Sequence, residues 1–179
     1  MRISSIHLAG LFLLLLVSCS PKIVPNSTTT TVEDPIEAKI EALLRKMTLE
    51  EKIGQMNQYS SFWEATGPAP QGGNQQKQYE QLKKGLVGSM LNVTGAAATR
   101  EVQKLVMEHS RLKIPLLFGY DVIHGYKTMF PIPLGEAASW DLDAIEQSAR
   151  IAATEAAAAG INWTFGPMMD ISRDARWGR

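Results

Sequence analysis

The stretch PLLFGYDVIHGYKTMFPIPL, residues 115–134, contains an apolar run that ends abruptly at polar side chains. The run itself, residues 115–120, has the length and composition of a strand that is covered on both faces. Asp121 follows it directly, and His124 and Gly125 come shortly after. In α/β proteins, functional side chains collect in the loops at the carboxyl ends of parallel strands. The stretch therefore predicts a carboxylate at the mouth of a pocket, although a carboxylate that caps a backbone or pairs with an arginine fits the pattern equally well.

Further strand and helix patterns lie on both sides of this stretch. Residues 85–93 and 161–171 are the other strand candidates, and apolar residues at helical spacing predict helices over residues 99–112 and 141–159. Alternating strands and helices indicate parallel strands joined by crossover helices. The fold class is therefore α/β with three predicted strands, and the pattern alone leaves a doubly wound sheet and a (β/α) barrel open.

The segment before the first predicted strand carries two helix starts and a loop. Asp34 followed by Pro35 is typical of an N-cap and first helical residue. Residues 48–51, Thr-Leu-Glu-Glu, match a capping box that begins a second helix. Residues 60–78 are rich in Gly, Pro and Gln and are predicted to form a loop.

Composition and charge exclude several function classes. The 179 residues hold 18 Lys and Arg against 18 Asp and Glu, and this balance argues against a nucleic-acid-binding protein. With His7 and Cys19 both near the N-terminus, only His109 and His124 remain, too few for a His- or Cys-based metal site. No Walker A, G-x-G-x-x-G or G-x-S-x-G motif is present, and the sequence predicts no cofactor.

The N-terminal residues have the pattern of a targeting segment. Residues 1–19 combine an early arginine with the apolar run LAGLFLLLLV and end in Leu-Val-Ser-Cys, which resembles a bacterial lipobox with Cys19 as the lipidated residue. Residues 20–34 form a Thr- and Pro-rich flexible linker, and residues 35–179 form the globular domain. We expect an exported protein, periplasmic or associated with the outer membrane through a lipid anchor at Cys19. A plain secretory signal with a chance cysteine is the alternative.

Four blocks of the sequence closely resemble the N-terminal domain of glycoside hydrolase family 3, and in particular its periplasmic β-glucosidases. These blocks are TLEEKIGQM (48–56), GLVGSMLN (85–92), SRLKIPLLFGYDVIHGYKTMFPIPLGEAASWD (110–141) and GINWTFGPMMDISRDARWGR (160–179). The resemblance implies a (β/α)8 TIM-like barrel followed by further domains. It also implies hydrolysis of terminal β-linked glucose from oligosaccharides with retention of configuration.

The resemblance also assigns roles to individual residues. Retaining hydrolysis needs a nucleophilic carboxylate and an acid/base about 5–5.5 Å apart; in this family both come from later segments, so no catalytic residue is expected in this chain. Asp121 matches the family aspartate that accepts hydrogen bonds from the terminal sugar, and Arg179 matches the arginine that donates to the same sugar. His124 either shapes the loop, the role we favour, or touches substrate. Trp63 could stack on a sugar face.

A complete barrel needs about 250 residues, and this chain ends within the R-W-G-R motif. We therefore expect a fragment truncated after about three strands that cannot hydrolyse a β-glucoside alone. Within the family, β-xylosidase and exo-β-glucanase activities remain open, and an N-acetylglucosaminidase is less favoured. A lipid-anchored, non-catalytic sugar-binding module is the alternative outside the enzymes.

Overall fold

The computed structural model describes residues 34–171, 173, 174 and 176. The chain divides into two compact units, residues 1–39 and 40–179, and only residues 34–39 of the first are described. Two predicted functional residues, Cys19 and Arg179, therefore lie outside the described residues.

The described residues form helices and short strands that alternate along most of the chain. In order they are α1 (Pro35–Lys46), α2 (Leu49–Gln55), β1 (Gln58–Ser60), α3 (Gly73–Lys83), β2 (Ser89–Leu91), α4 (Ala96–His109), β3 (Leu117–Tyr120), α5 (Pro133–Ser139), α6 (Leu142–Ala158) and β4 (Trp163–Thr164). Among them, no helix combines the length and apolar character that crossing a membrane requires.

The four strands form one sheet in the sequential order β1-β2-β3-β4, and every neighbouring pair is parallel. A doubly wound sheet reverses its strand order at a switch point, whereas a (β/α) barrel adds each strand beside the last. The observed order contains no reversal. It therefore selects the barrel from the two architectures that the sequence pattern left open.

The prediction of three strands was wrong, because β1 also belongs to the sheet. β1 has three residues, Gln58–Ser60, and lacks the apolar run that marked the other strands. Helix α3 likewise lies partly within the segment predicted as a loop, and Leu82 is its only buried residue. Gly88, directly before β2, lies against the end of α2: its amide donates to the Asn57 carbonyl at 3.0 Å, and a Cβ there would lie 2.0 Å from the Gln55 carbonyl oxygen, so only glycine permits this approach.

The core lies between the sheet and its helices. Leu82 and Met90 are fully buried, and they pack in one cluster with residues of α4 and α6. Burying such a side chain contributes roughly 1.5–3 kcal/mol. On β3, Phe118 is 4% exposed whereas its neighbour Leu117 is 51% exposed. Successive strand residues point to opposite faces, so Phe118 lies on the helix-covered face, whereas the opposite face is exposed at Leu117 and buried at Gly119.

Both predicted helix starts are present. The Asp34 carboxylate accepts a hydrogen bond from the Ile36 amide at 2.9 Å, and Thr48 and Glu51 form the complete capping box. Glu51 is buried and also accepts two hydrogen bonds from Arg111, at 3.0 Å to Oε1 and 2.5 Å to Oε2. The Arg111 hydrogen bonds, followed by the Thr48 amide, hold the pKa of Glu51 below its ordinary value. A buried carboxylate thus ties α2 to the segment that follows α4.

We expect Arg111→Gln to lower the thermal midpoint of the chain near neutral pH, because it leaves the Glu51 carboxylate buried with fewer donors. The pKa of Glu51 is lower in the folded chain than in the unfolded chain. The pair therefore stabilises fully above the unfolded pKa and loses its effect as pH falls through the lowered folded value. Thermal melts between about pH 7 and pH 3 should show the variant's deficit shrinking towards acid.

Lys104→Gln is the matched control, because it breaks only the exposed 4.0 Å pair of Lys104 with Glu108. Exposed pairs of this kind contribute little to stability. A deficit in Arg111→Gln that stays constant down to the lowest pH would contradict the assignment.

Candidate functional site

A cavity of about 560 Å³ opens at the carboxyl ends of β3 and β4. Its polar lining consists of Asp121, His124 and Asp170, and its apolar lining of Ile123, Ile132, Pro133, Leu134 and Met168. Concave sites with an apolar wall and a few convergent polar groups are typical ligand pockets. This cavity lies where the sequence placed a functional carboxylate.

Asp121 is the first residue after β3. The Val122 amide turns back to the Tyr120 carbonyl at 3.0 Å, and the Val122 side chain is 9% exposed. The backbone around Asp121 is thus fixed while its own side chain lies exposed at the cavity. Among the described residues no group donates a hydrogen bond to its carboxylate, so both oxygens can accept from a ligand.

His124 begins a tight hairpin, residues 124–130. The Phe130 amide donates to the His124 carbonyl at 2.8 Å, and His124 Nδ1 lies 3.2 Å from the Phe130 carbonyl oxygen. A carbonyl only accepts, so this contact requires the proton on Nδ1, and in that tautomer Nε2 is the nitrogen that can accept. His124 therefore has the loop-shaping contact that the sequence favoured, while its ring also lines the cavity.

Glycine at position 125 makes this hairpin possible. Its φ is +116°, and a Cβ there would lie 1.9 Å from the Thr128 carbonyl oxygen. Gly125 and Met129 form an antiparallel bridge across the turn. The D-x-x-H-G pattern thus has a local physical reason, because only glycine allows the backbone to return to His124 at this distance.

Asp170 is the polar residue of the cavity that the sequence analysis did not single out. It lies six residues after β4, whereas Asp121 directly follows β3, and both line the cavity at the carboxyl ends of these parallel strands. The available signal was its place at the end of the apolar segment 161–171. Several charged residues follow Asp170 closely, so the sequence alone did not distinguish it from them.

The arginine-rich segment after Asp170 is only partly described. Arg176 donates to the Asp174 carboxylate from Nε, at 2.9 Å and 3.0 Å to its two oxygens, and from Nη2. These hydrogen bonds lower the pKa of Asp174 and raise that of Arg176. The predicted juxtaposition of Arg179 with Asp121 lies outside the described residues and stays a prediction.

Trp63 does not line the cavity that contains Asp121. Its ring packs against Phe62 at 4.4 Å and against Tyr79 at 5.6 Å between centroids, and it lies beside the core. The described contacts of Trp63 are thus those of a packed aromatic cluster. Within the described residues no group of three His, Cys, Asp or Glu side chains could hold a metal ion.

Comparison with known protein families identifies residues 48–179 as a match to the glycosyl hydrolase family 3 N terminal domain. The chain belongs to glycosyl hydrolase family 3. The match includes both strand ends that form the cavity and the whole R-W-G-R segment.

Individual members of family 3 are similar over the same region. A periplasmic beta-glucosidase from Salmonella typhimurium is 46% identical over 143 residues, which cover 80% of this chain and 18% of the relative. A protein from Formosa agariphila, provisionally named a beta-xylosidase, is 34% identical over 158 residues, covering 80% of this chain and 20% of the relative.

A solved structure shares the fold. A mutant beta-glucosidase from Listeria innocua, in complex with laminaribiose, superposes with a TM-score of 0.70 at 39% identity and covers 80% of this chain. The chain spans about a fifth of the length of these relatives, 18–20% in each case. Its four parallel strands are therefore the N-terminal part of a TIM-type barrel.

We expect Gly125→Ala to open the 124–130 hairpin, because the added Cβ strikes the Thr128 carbonyl and the backbone φ is strained. The strain and clash together should cost about 3 kcal/mol locally. Hydrogen exchange of the Phe130 amide, which bonds to the His124 carbonyl, should accelerate strongly. Gly95→Ala is the control, since Gly95 has φ +93° with nothing within 4 Å of a Cβ. Unchanged Phe130 exchange in Gly125→Ala would contradict this account.

Proposed function

We propose that this chain is the N-terminal part of an exported β-glucosidase, which hydrolyses terminal, non-reducing β-D-glucosyl residues of oligosaccharides with retention of configuration. The observation that carries the proposal is the Asp121 carboxylate, which no described residue pairs, in a cavity at the carboxyl end of a barrel strand in a member of family 3. The 46% identity to a protein named beta-glucosidase supports glucose as the sugar.

The chemistry of the cavity suits a terminal sugar. An ionised carboxylate has two oxygens that can accept from neighbouring hydroxyl groups, and charge-assisted bonds of this kind are strong. Nε2 of His124 adds an acceptor in the tautomer that its contact with Phe130 requires, and Asp170 adds two more oxygens. We propose that the guanidinium of Arg179 donates to the same sugar. A sugar that lacks the matching hydroxyls would leave these acceptors unpaired, and such a site rejects it.

The bond-breaking step requires groups that we place outside this chain. A retaining glycosidase uses two carboxyl groups about 5–5.5 Å apart, and we propose that both come from the part of the protein that corresponds to the remaining length of the relatives. The role of the present segment is to bind and orient the non-reducing sugar. Holding the sugar in one orientation raises the rate of hydrolysis, because the reacting atoms are already positioned for the chemical step.

We expect Asp121→Asn in the full-length protein to lower kcat/KM for an aryl β-glucoside about a hundredfold or more, because charge-assisted hydrogen bonds to the sugar become neutral ones. Steady-state kinetics measures this loss. Asp143→Asn, an exposed change in the first turn of α6, should leave kcat/KM unchanged. Near-normal kinetics in Asp121→Asn would remove Asp121 from the site. Purified residues 20–179 serve as the negative control and should show no turnover above a blank.

β-Xylosidase activity is the second candidate, and the 34% identity to the Formosa protein favours it. Xylose lacks the hydroxymethyl group of glucose, so the two activities differ in one hydrogen-bonding group. The ratio of kcat/KM for aryl β-glucoside and aryl β-xyloside in the full-length protein discriminates between them. A ratio above about ten supports the glucosidase, and an inverted ratio supports the xylosidase.

We also propose that the protein is lipidated at Cys19 and attached to a membrane of the cell envelope. The sequence of residues 1–19 supports lipidation, and the periplasmic relative supports export. Intact-mass analysis of protein from the natural host should show an acylated N-terminal cysteine, and Cys19→Ala should release the protein into the soluble fraction. An unmodified Cys19 in the mature protein would contradict lipidation and leave export by a plain signal.

A further inference from the structure

The tip of the 124–130 hairpin is bound by a side chain that lies far away in the sequence. Oε2 of Glu155, on α6, accepts hydrogen bonds from the Lys127 and Thr128 amides, both at 2.8 Å. Oε1 accepts from the Thr128 hydroxyl at 2.7 Å. The Thr128 hydroxyl and the two amides lower the pKa of Glu155 and so favour its charged form. One carboxylate thus binds three donors of the turn.

The hairpin needs this support because its own bonds are few. Besides the Phe130 and His124 pair, only the Gly125–Met129 bridge joins its two sides among the described residues. Residues 127–129 are exposed, and a short two-stranded turn is marginal on its own. Helix α6 is a rigid support, since Ala152 and Ala156, which neighbour Glu155 on the helix, are buried in the core.

The position of the hairpin determines the position of His124 in the cavity. His124 Nδ1 bonds to the Phe130 carbonyl, so a shift of the hairpin turns the imidazole and moves its acceptor Nε2. Asp121 has separate support from the buried Val122. His124 is therefore the cavity residue whose geometry depends on Glu155.

We propose that Glu155 is a positioning residue for sugar binding, which fixes the 124–130 hairpin and thereby orients His124 beside Asp121. The inference rests on the proposed function, because it assumes that the cavity binds the terminal sugar. Glu155 itself does not line that cavity. It acts through the hairpin, and its loss should weaken binding of substrate more than it slows the chemical step.

The test compares Glu155→Ala and Glu155→Gln in the full-length protein. Alanine removes all three acceptor contacts, and we expect KM for an aryl β-glucoside to rise about tenfold with kcat changed less than about threefold. Exchange of deuterium into the peptide spanning residues 120–131 should accelerate. Glutamine keeps one oxygen for the two amides and offers its NH₂ to the Thr128 hydroxyl, so KM should return to within about threefold of the unaltered protein.

Glu146→Gln is the matched control, because Glu146 lies on the same helix and its partner among the described residues is the exposed Arg150. It should change neither KM nor exchange. If Glu155→Ala does not fold, Thr128→Val and Thr128→Ser replace it: valine removes the hydroxyl donor and should raise KM, and serine keeps the donor and should not.

Two results would overturn the proposal separately from the proposed function. Unchanged exchange in Glu155→Ala would show that the carboxylate does not fix the hairpin. Faster exchange with unchanged KM would show that the hairpin does not set sugar binding. If the unaltered full-length protein neither binds nor hydrolyses a β-glycoside, the proposed function fails, and the sugar-binding role of Glu155 fails with it.

Discussion

The parallel pairing of β3 with β2 and with β4 is the constraint on which the candidate site depends. Phe118 pairs with Met90, and Tyr120 pairs with Thr164, so all the strands run in one direction. Parallel strands deliver their following loops to a single edge of the sheet. The loop that contains Asp121 therefore meets the segment that contains Asp170. An antiparallel pairing would have placed them at opposite ends.

Side chains extend this pairing where the strands are shortest. β4 has two residues, and Asn162 lies directly before it. The side-chain oxygen of Asn162 accepts a hydrogen bond from the Phe118 backbone amide at 2.8 Å, and the backbone amide of Asn162 donates to the Phe118 carbonyl at 3.1 Å. Gln103 of α4 likewise accepts from the Leu116 amide at 3.0 Å. Buried backbone groups must be paired, and these two side chains meet that demand at the margins of the sheet.

The sequence predicted those elements whose signal is local. Composition or spacing alone predicted three elements: the apolar run of β3, the capping box at Thr48 and the long helix α6. The resemblance to family 3 is confirmed by the family match. β1 could not be predicted in this way, because its three residues contain no apolar run and are placed by backbone pairing with β2. The alternating order of elements left two architectures open, and only the pairing of strands decides between them.

The same distinction applies to acidic residues, whose roles depend on which donors surround them. Glu51 and Glu155 both have lowered pKa values because protein donors occupy their oxygens. Within the described residues the Asp121 carboxylate has no such donors, although it lies on a fixed backbone in a cavity. A carboxylate bound by protein groups holds structure, whereas one with open acceptor positions is available to a ligand. In the sequence Glu155 is one acidic residue of an alanine-rich helix, and only the folded hairpin reveals what it binds.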